Sequence, residues 1–131
     1  MTGEDFLKAV GEYESILNEQ TGDYDIVFNN PELFNAVRKK VRIIARASSE
    51  DKFVLVAGTK QNGGCVSMTG DGITDAEALR KADVGLCMGT GCEVAKDSSD
   101  LIILDNDFDS IYRTIKWGRS MFDNVRKFIT F

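Results

Sequence analysis

The chain has 131 residues, 43% of them hydrophobic and 28% charged, with a formal net charge of −5 and no histidine. That length holds one domain with a real core, and the acidic balance argues against a nucleic-acid partner. Without imidazole there are no Ser-His-Asp triads and few routes to zinc or iron, so acid–base or metal chemistry must rest on carboxylates, lysine and hydroxyls.

"TGEDFLKAVGEYESILNEQ" opens with a capping pair, Thr2 and Asp5, and sets Phe6, Val10, Tyr13 and Leu17 on one helical stripe. "NNPELFNAVRKKV" starts a second helix with Asn30 as N-cap and Pro31 in its first turn. Residues 1–41 therefore read as a helical region. "RIIAR" reads as a short strand. "SSEDKFVLVAGTK" carries a capping box from Ser48 to Asp51, and that cap makes it a helix despite its apolar "FVLV".

After the Gly63-Gly64 turn, "CVSM" is a strand, "DAEALRKA" a helix and "VGLCM" a strand. "GCEVAKDSS" is a helix capped by Thr90 with Glu93, and "LIIL" is a strand. In the last segment Ile111, Ile115, Gly118, Phe122, Val125 and Ile129 fall at steps of four and three, a long amphipathic helix with Asp107 as its N-cap. Of the three cysteines, Cys65 and Cys87 fall in apolar strands and match no zinc spacing. They read as small buried hydrophobes of a reduced, cytosolic chain. No apolar run approaches the ~20 residues that span a bilayer, and Met1 leads into polar sequence rather than a signal peptide.

Apolar strands alternating with helices predict an α/β fold: a parallel sheet with helices on both faces. Ligands of such sheets sit at the C-terminal ends of the strands. The turn "TGDGITD" lies at such an end. Gly70 and Gly72 bracket Asp71, permitting unusual backbone angles and leaving room for a ligand close to the main chain. Asp71 there suits Mg²⁺, which takes one or two carboxylates with phosphate oxygens and waters. Asp75, opening the next helix, can orient the metal or its waters. An acidic first turn of a helix explains Asp75 equally well but not the two glycines. Lys52, in the first turn of the upstream helix, is a cation placed against the helix dipole at the same sheet edge, as a phosphate contact would require.

"ARASSEDK", "VSMTGDGITDAEALRKADVGLCMG", "VAKDSSDLIILDNDF" and "WGRSMFDNVRKFITF", in that order, resemble the phosphorylation domain of P-type cation ATPases, within the haloacid dehalogenase superfamily. "WGRSMFDN" followed by "KF" looks most like the plasma-membrane-type calcium pumps. The resemblance implies an ATP-driven pump using Mg²⁺. In it Asp71 and Asp75 serve the metal, Lys52 contacts phosphate, and Thr69, Gly70, Gly72 and Thr74 complete the phosphate network. It also implies a cytosolic domain of an integral protein of the plasma membrane or an internal calcium store, whose partners are the pump's nucleotide-binding, actuator and membrane domains. Residues 42–108 would be the α/β core and 109–131 a stalk leading toward a membrane segment.

The sequence departs from the family pattern TGDGxNDxPAL, with Thr74 for Asn and Glu77 for Pro. Together these form a Thr-x-x-Glu box that can start the helix by another route. Ser49 likewise replaces a proline. The family's nucleophile, the aspartate of a DKTGT motif, is not among these residues, so none is assigned. The strand bearing it is absent too. The chain reads as the C-terminal part of a phosphorylation domain, inactive alone, with "CVSM" an open edge prone to self-association. Rival readings are a phosphatase of the same superfamily using Asp105 and Asp107, a dinucleotide module built on "GLCMGTGCEVA", and a non-catalytic interaction domain. The first needs permuted motif order, and the second lacks its third glycine at Val94.

Overall fold

In the computed structural model, which describes residues 1–131, helix α1 (Gly3–Val10) leads into an antiparallel hairpin of β1 (Tyr13–Leu17) and β2 (Tyr24–Phe28). Helices α2 (Pro31–Lys40) and α3 (Ser49–Gln61) follow. Strands β3 (Ser67–Gly70), β4 (Val84–Met88) and β5 (Leu101–Ile103) then form a parallel sheet in the order β3-β4-β5. A 3-10 turn (Ile73–Asp75) and α4 (Ala76–Lys81) link β3 to β4, α5 (Glu93–Asp97) links β4 to β5, and α6 (Phe108–Thr130) closes the chain.

The N-terminal region is not all helix, which corrects the reading of residues 1–41. Gly11 takes φ +80°, a left-handed angle that ends α1 one residue after Val10. Tyr13 and Leu17 therefore leave the helical stripe and enter β1, where Tyr13 faces Phe28 and Leu17 faces Tyr24. Ile26 and Phe28 project inward from β2 and pack with Phe6, Val10, Phe34, Val54 and Ala57 in the largest core cluster. The Phe28 and Phe34 rings stack at 4.4 Å. "RIIAR" is no strand of the sheet either. It makes a single parallel bridge, Ala45 to Thr2, closed by the Gly3 N–H donating to the Ala45 carbonyl at 3.1 Å.

Local signals elsewhere match the structure. Ser48 and Asp51 cap α3 reciprocally, Asn30 caps α2 ahead of Pro31, and Asp107 caps α6. Two predicted caps fail. Helix α5 starts at Glu93 with Cys92, not Thr90, as its N-cap residue and no side-chain cap bond; the Thr90 N–H and hydroxyl both donate to Asn106 Oδ1. The Thr74–Glu77 box does not form, since the Thr74 hydroxyl accepts from Lys52 instead. Cys65 lies ahead of β3 and is exposed, not buried; Cys87 is fully buried.

The central strand β4 is covered on both faces, whereas Ser67 and Thr69 of β3 and Leu101 and Ile102 of β5 stay exposed. Cys87 packs with Leu79 of α4 and Ala95 of α5 on one side, while Leu86 and Ile103 pack with Ile111 of α6 on the other. Helix α3 joins the two halves: Val54 and Ala57 enter the N-terminal core, and Val56 packs on Ala78 of α4 and on Ala82 just after it. Strand β3 pairs only with β4, so its other edge is open. Beside that edge a groove of about 680 Å³ runs between β3, α3 and the segment around Val41–Ala47. No helix is long and apolar enough to cross a membrane.

Candidate functional site

Strand β3 ends at Gly70, and the chain turns through Asp71 and Gly72 into the 3-10 turn and α4. Asp75 organises this turn. Its Oδ2 accepts from the N–H groups of Asp71 (3.2 Å) and Gly72 (3.1 Å), while its Oδ1 meets the Lys52 ammonium at 2.6 Å. Only 7% of Asp75 is exposed. Burial alone would raise its carboxyl, but Lys52 and the Gly72 and Asp71 N–H groups outweigh that and hold it below the ordinary carboxylate value.

Lys52 reaches this point from the first turn of α3 and also donates to Thr74 Oγ1 at 3.3 Å. The unfavourable position of a cation at a helix start is thus offset by a buried carboxylate across the sheet end. Asp71 differs from Asp75. Its backbone is held, with the carbonyl accepting from the Cys92 N–H at 2.9 Å, but its carboxylate is exposed and makes neither hydrogen bond nor ion pair. Thr69 is exposed on β3 and, with Lys52 and Asp75, lines the groove along the open edge.

The two glycines have unequal roles, and neither uses a left-handed angle. A β-carbon at Gly70 would fall 2.6 Å from that of Asp75, whereas one at Gly72 would meet nothing nearer than 3.6 Å. Gly70 makes room for Asp75. Gly72 keeps the outer side of the loop bare.

The structure thus gathers Lys52, Asp75, Thr74 and the Asp71–Gly72 backbone into one array. Sequence reasoning missed the work of Thr74 as a Lys52 partner and the Cys92 N–H that pins Asp71. The first was masked by a plausible capping box, and the second is a contact across the sheet end with no local signal. Asp105 and Asp107 are occupied at the start of α6, where Asp105 accepts from the Asp107 N–H and the Ser110 hydroxyl and Asp107 from the Asp109 N–H.

No family model matches the chain. Curated relatives do: it is 51% identical over 96 residues to the plasma membrane-type calcium-transporting ATPase 9 of Arabidopsis thaliana, covering 72% of the chain and 9% of the relative. It is also 40% identical over 136 residues to the plasma membrane calcium-transporting ATPase 3 of Homo sapiens, covering 98% of the chain and 11% of the relative. The chain belongs to the P-type ATPases. It spans about a tenth of the length of these relatives. Among solved structures, a zinc-transporting PIB-type ATPase aligns with 75% of the chain and 16% of its own at TM-score 0.59 and 31% identity. The catalytic domain of the CPx-ATPase CopB-B aligns with 79% and 57% at TM-score 0.54 and 24% identity, which supports the haloacid dehalogenase-like α/β fold alone.

The residues present fit a Mg²⁺ ion only in part. No group of three carboxylate or thiol side chains converges here, and both oxygens of Asp75 are engaged. Asp71 offers one free carboxylate at the sheet rim, the protein share that suits Mg²⁺ when phosphate and water supply the rest.

Proposed function

We propose that the chain is part of the cytosolic phosphorylation domain of an ATP-driven calcium pump, and that its share of the chemistry is to hold Mg²⁺ and phosphate. The observation that carries this is the array at the sheet end: a free Asp71 carboxylate on a loop whose backbone is clamped by Asp75, with the Lys52 ammonium bound to the Asp75 carboxylate. Bound there, Mg²⁺ would neutralise charge on the transferred phosphoryl group. Asp71 would be its direct ligand, and Asp75 would act through the loop and through Lys52 rather than by binding the ion itself. Lys52 has Thr74 and Asp75 as resting partners and turns toward a phosphate oxygen when one arrives. Thr69, Gly70 and Gly72 leave the approach open. The nucleophilic aspartate belongs to the rest of the pump, so this chain alone turns over no ATP. Helix α6 would continue toward the membrane as the stalk.

The test is a titration of the chain with Mg²⁺ in the presence of inorganic phosphate, followed through backbone amide shifts. The Asp71 and Gly72 amides should move in the native chain and stay in place in Asp71→Asn, while Lys52→Ala should abolish the phosphate-dependent part alone. Equal responses in native and Asp71→Asn chains would defeat the reading.

A further inference from the structure

Cys87 and Cys92 flank a tight turn whose first and last residues, Met88 and Gly91, are joined by the Gly91 N–H donating to the Met88 carbonyl at 2.8 Å. The side chain of Cys87 points to the face of the sheet covered by α4 and α5, and the chain leaves β4 toward that same face to begin α5 at Glu93. The turn therefore folds back over the Cys87 sulfur. A β-carbon at Gly91 would come within 2.6 Å of Cys87 Sγ, so this sulfur lies against the residue before Cys92. Cys92 in turn packs on the cluster of Leu79, Cys87 and Ala95. Cys87 is fully buried, Cys92 is partly exposed, and Cys65 stands apart and exposed.

We propose that Cys87 and Cys92 are a dithiol modification site that a hydroperoxide closes into an intrachain disulfide across this turn. The partly exposed Cys92 meets the oxidant first. Its sulfur attacks the distal peroxide oxygen, the O–O bond breaks, and Cys92 becomes a sulfenic acid as the peroxide leaves as water or alcohol. The Cys87 sulfur then attacks the Cys92 sulfur, the S–O bond breaks, and hydroxide departs as water with the Cys87 thiol proton. Two thiols are oxidised by two electrons and one peroxide is reduced. The oxidised turn would bear on the site already described, since the Cys92 N–H binds the Asp71 carbonyl and a β-carbon at Gly91 would sit 3.2 Å from the Asp71 α-carbon. Shortening the Cys87–Cys92 separation pulls on that contact.

The experiment treats the folded chain with hydrogen peroxide, unfolds it with an alkylating agent present, and maps the tryptic peptide of residues 82–96, which holds both cysteines. Native protein should give this peptide two hydrogens lighter and unalkylated, restored to the doubly alkylated form by prior reduction. Cys92→Ser should leave Cys87 fully alkylated, and Cys87→Ser should leave Cys92 trapped as sulfenic or sulfinic acid. In the oxidised native chain the Asp71 amide should shift without Mg²⁺ present. Recovery of a doubly alkylated peptide, of sulfinic Cys92 beside free Cys87, or of a link from Cys65 to either thiol would each overturn the proposal. The readout is covalent, so it stands or falls separately from the Mg²⁺ titration.

Discussion

A β-carbon at Gly70 would stand 2.6 Å from the β-carbon of Asp75 and 2.8 Å from its carboxyl carbon. The end of β3 can hold the buried Asp75 carboxylate under the Asp71–Gly72 loop only because residue 70 has no side chain. Gly70→Ala should displace Asp75 or bend the loop, at a cost of about 1–3 kcal/mol, the usual scale for overpacking. Gly72→Ala, whose added carbon meets only ordinary contacts, should change stability far less. Urea midpoints of the two variants check this. Equal midpoints would mean that the crowding at Gly70 relaxes freely.

Asp75 also gives the chain a defined acid limit. Its carboxyl is held below the ordinary value near 3.8, so the folded chain binds fewer protons than the unfolded one as the pH falls toward that range. The stabilisation is full above the unfolded value and is lost as the pH drops through the folded one. Asp5, Asp25, Asp83 and Asp105 are lowered as well, so an acid slope remains in any single variant. Asp75→Asn should flatten it by removing one of those groups. Stability measured by urea unfolding across pH 3 to 6, a window set by carboxylate titration, gives the slopes. Parallel slopes for the native and Asp75→Asn chains would contradict the Lys52–Asp75 pair.

The open edge of β3 carries a prediction about association. Ser67 and Thr69 are exposed, β3 pairs on one side only, and the adjoining groove takes apolar walls from Val41, Ile44, Leu55, Val56, Val66 and Met68. Such an edge is a template for another strand. The isolated chain should sediment as a concentration-dependent mixture, and Ser67→Lys should shift it toward monomer by placing charge on the edge. A single monomeric species at all concentrations would count against it.

How much of this was legible depended on the range of the interaction. Caps such as Ser48 with Asp51, or Asn30 with Pro31, are settled within four residues and are visible in the sequence. Strand β4 is visible as an apolar run because both its faces are covered, and β5 is as apolar although Leu101 and Ile102 stay exposed. The hairpin was hidden because Phe6, Val10, Tyr13 and Leu17 mimic a helical stripe, and the decisive residue, Gly11, is one glycine in a strong pattern. Lys52 and Asp75 lie 23 residues apart. The chemistry of each residue was readable, as was their position at one sheet end, but not that they bind each other. Thr74 shows the reverse error. A local motif was present, and a longer-range partner, Lys52, took its hydroxyl.

The N-terminal unit should support the site through α3. Phe34 is fully buried and stacks on Phe28, and both belong to the core that takes Val54 and Ala57 from α3, the helix that carries Lys52. Removing the Phe34 ring should cost about 3–5 kcal/mol, the range for deleting a buried aromatic side chain. The loss should not stay in the hairpin. Because Val56 of the same helix packs on α4, loosening one side of α3 frees the other to shift against the 3-10 turn. Phe34→Leu, which keeps most of the apolar volume, tests this in a chain that still folds. Amide hydrogen exchange should speed up in β2 and throughout α3, and the Asp71 and Gly72 amides held by Asp75 should exchange faster as well. Faster exchange confined to the hairpin and α2 would show that the two halves open independently and that the N-terminal core does not hold Lys52 in place.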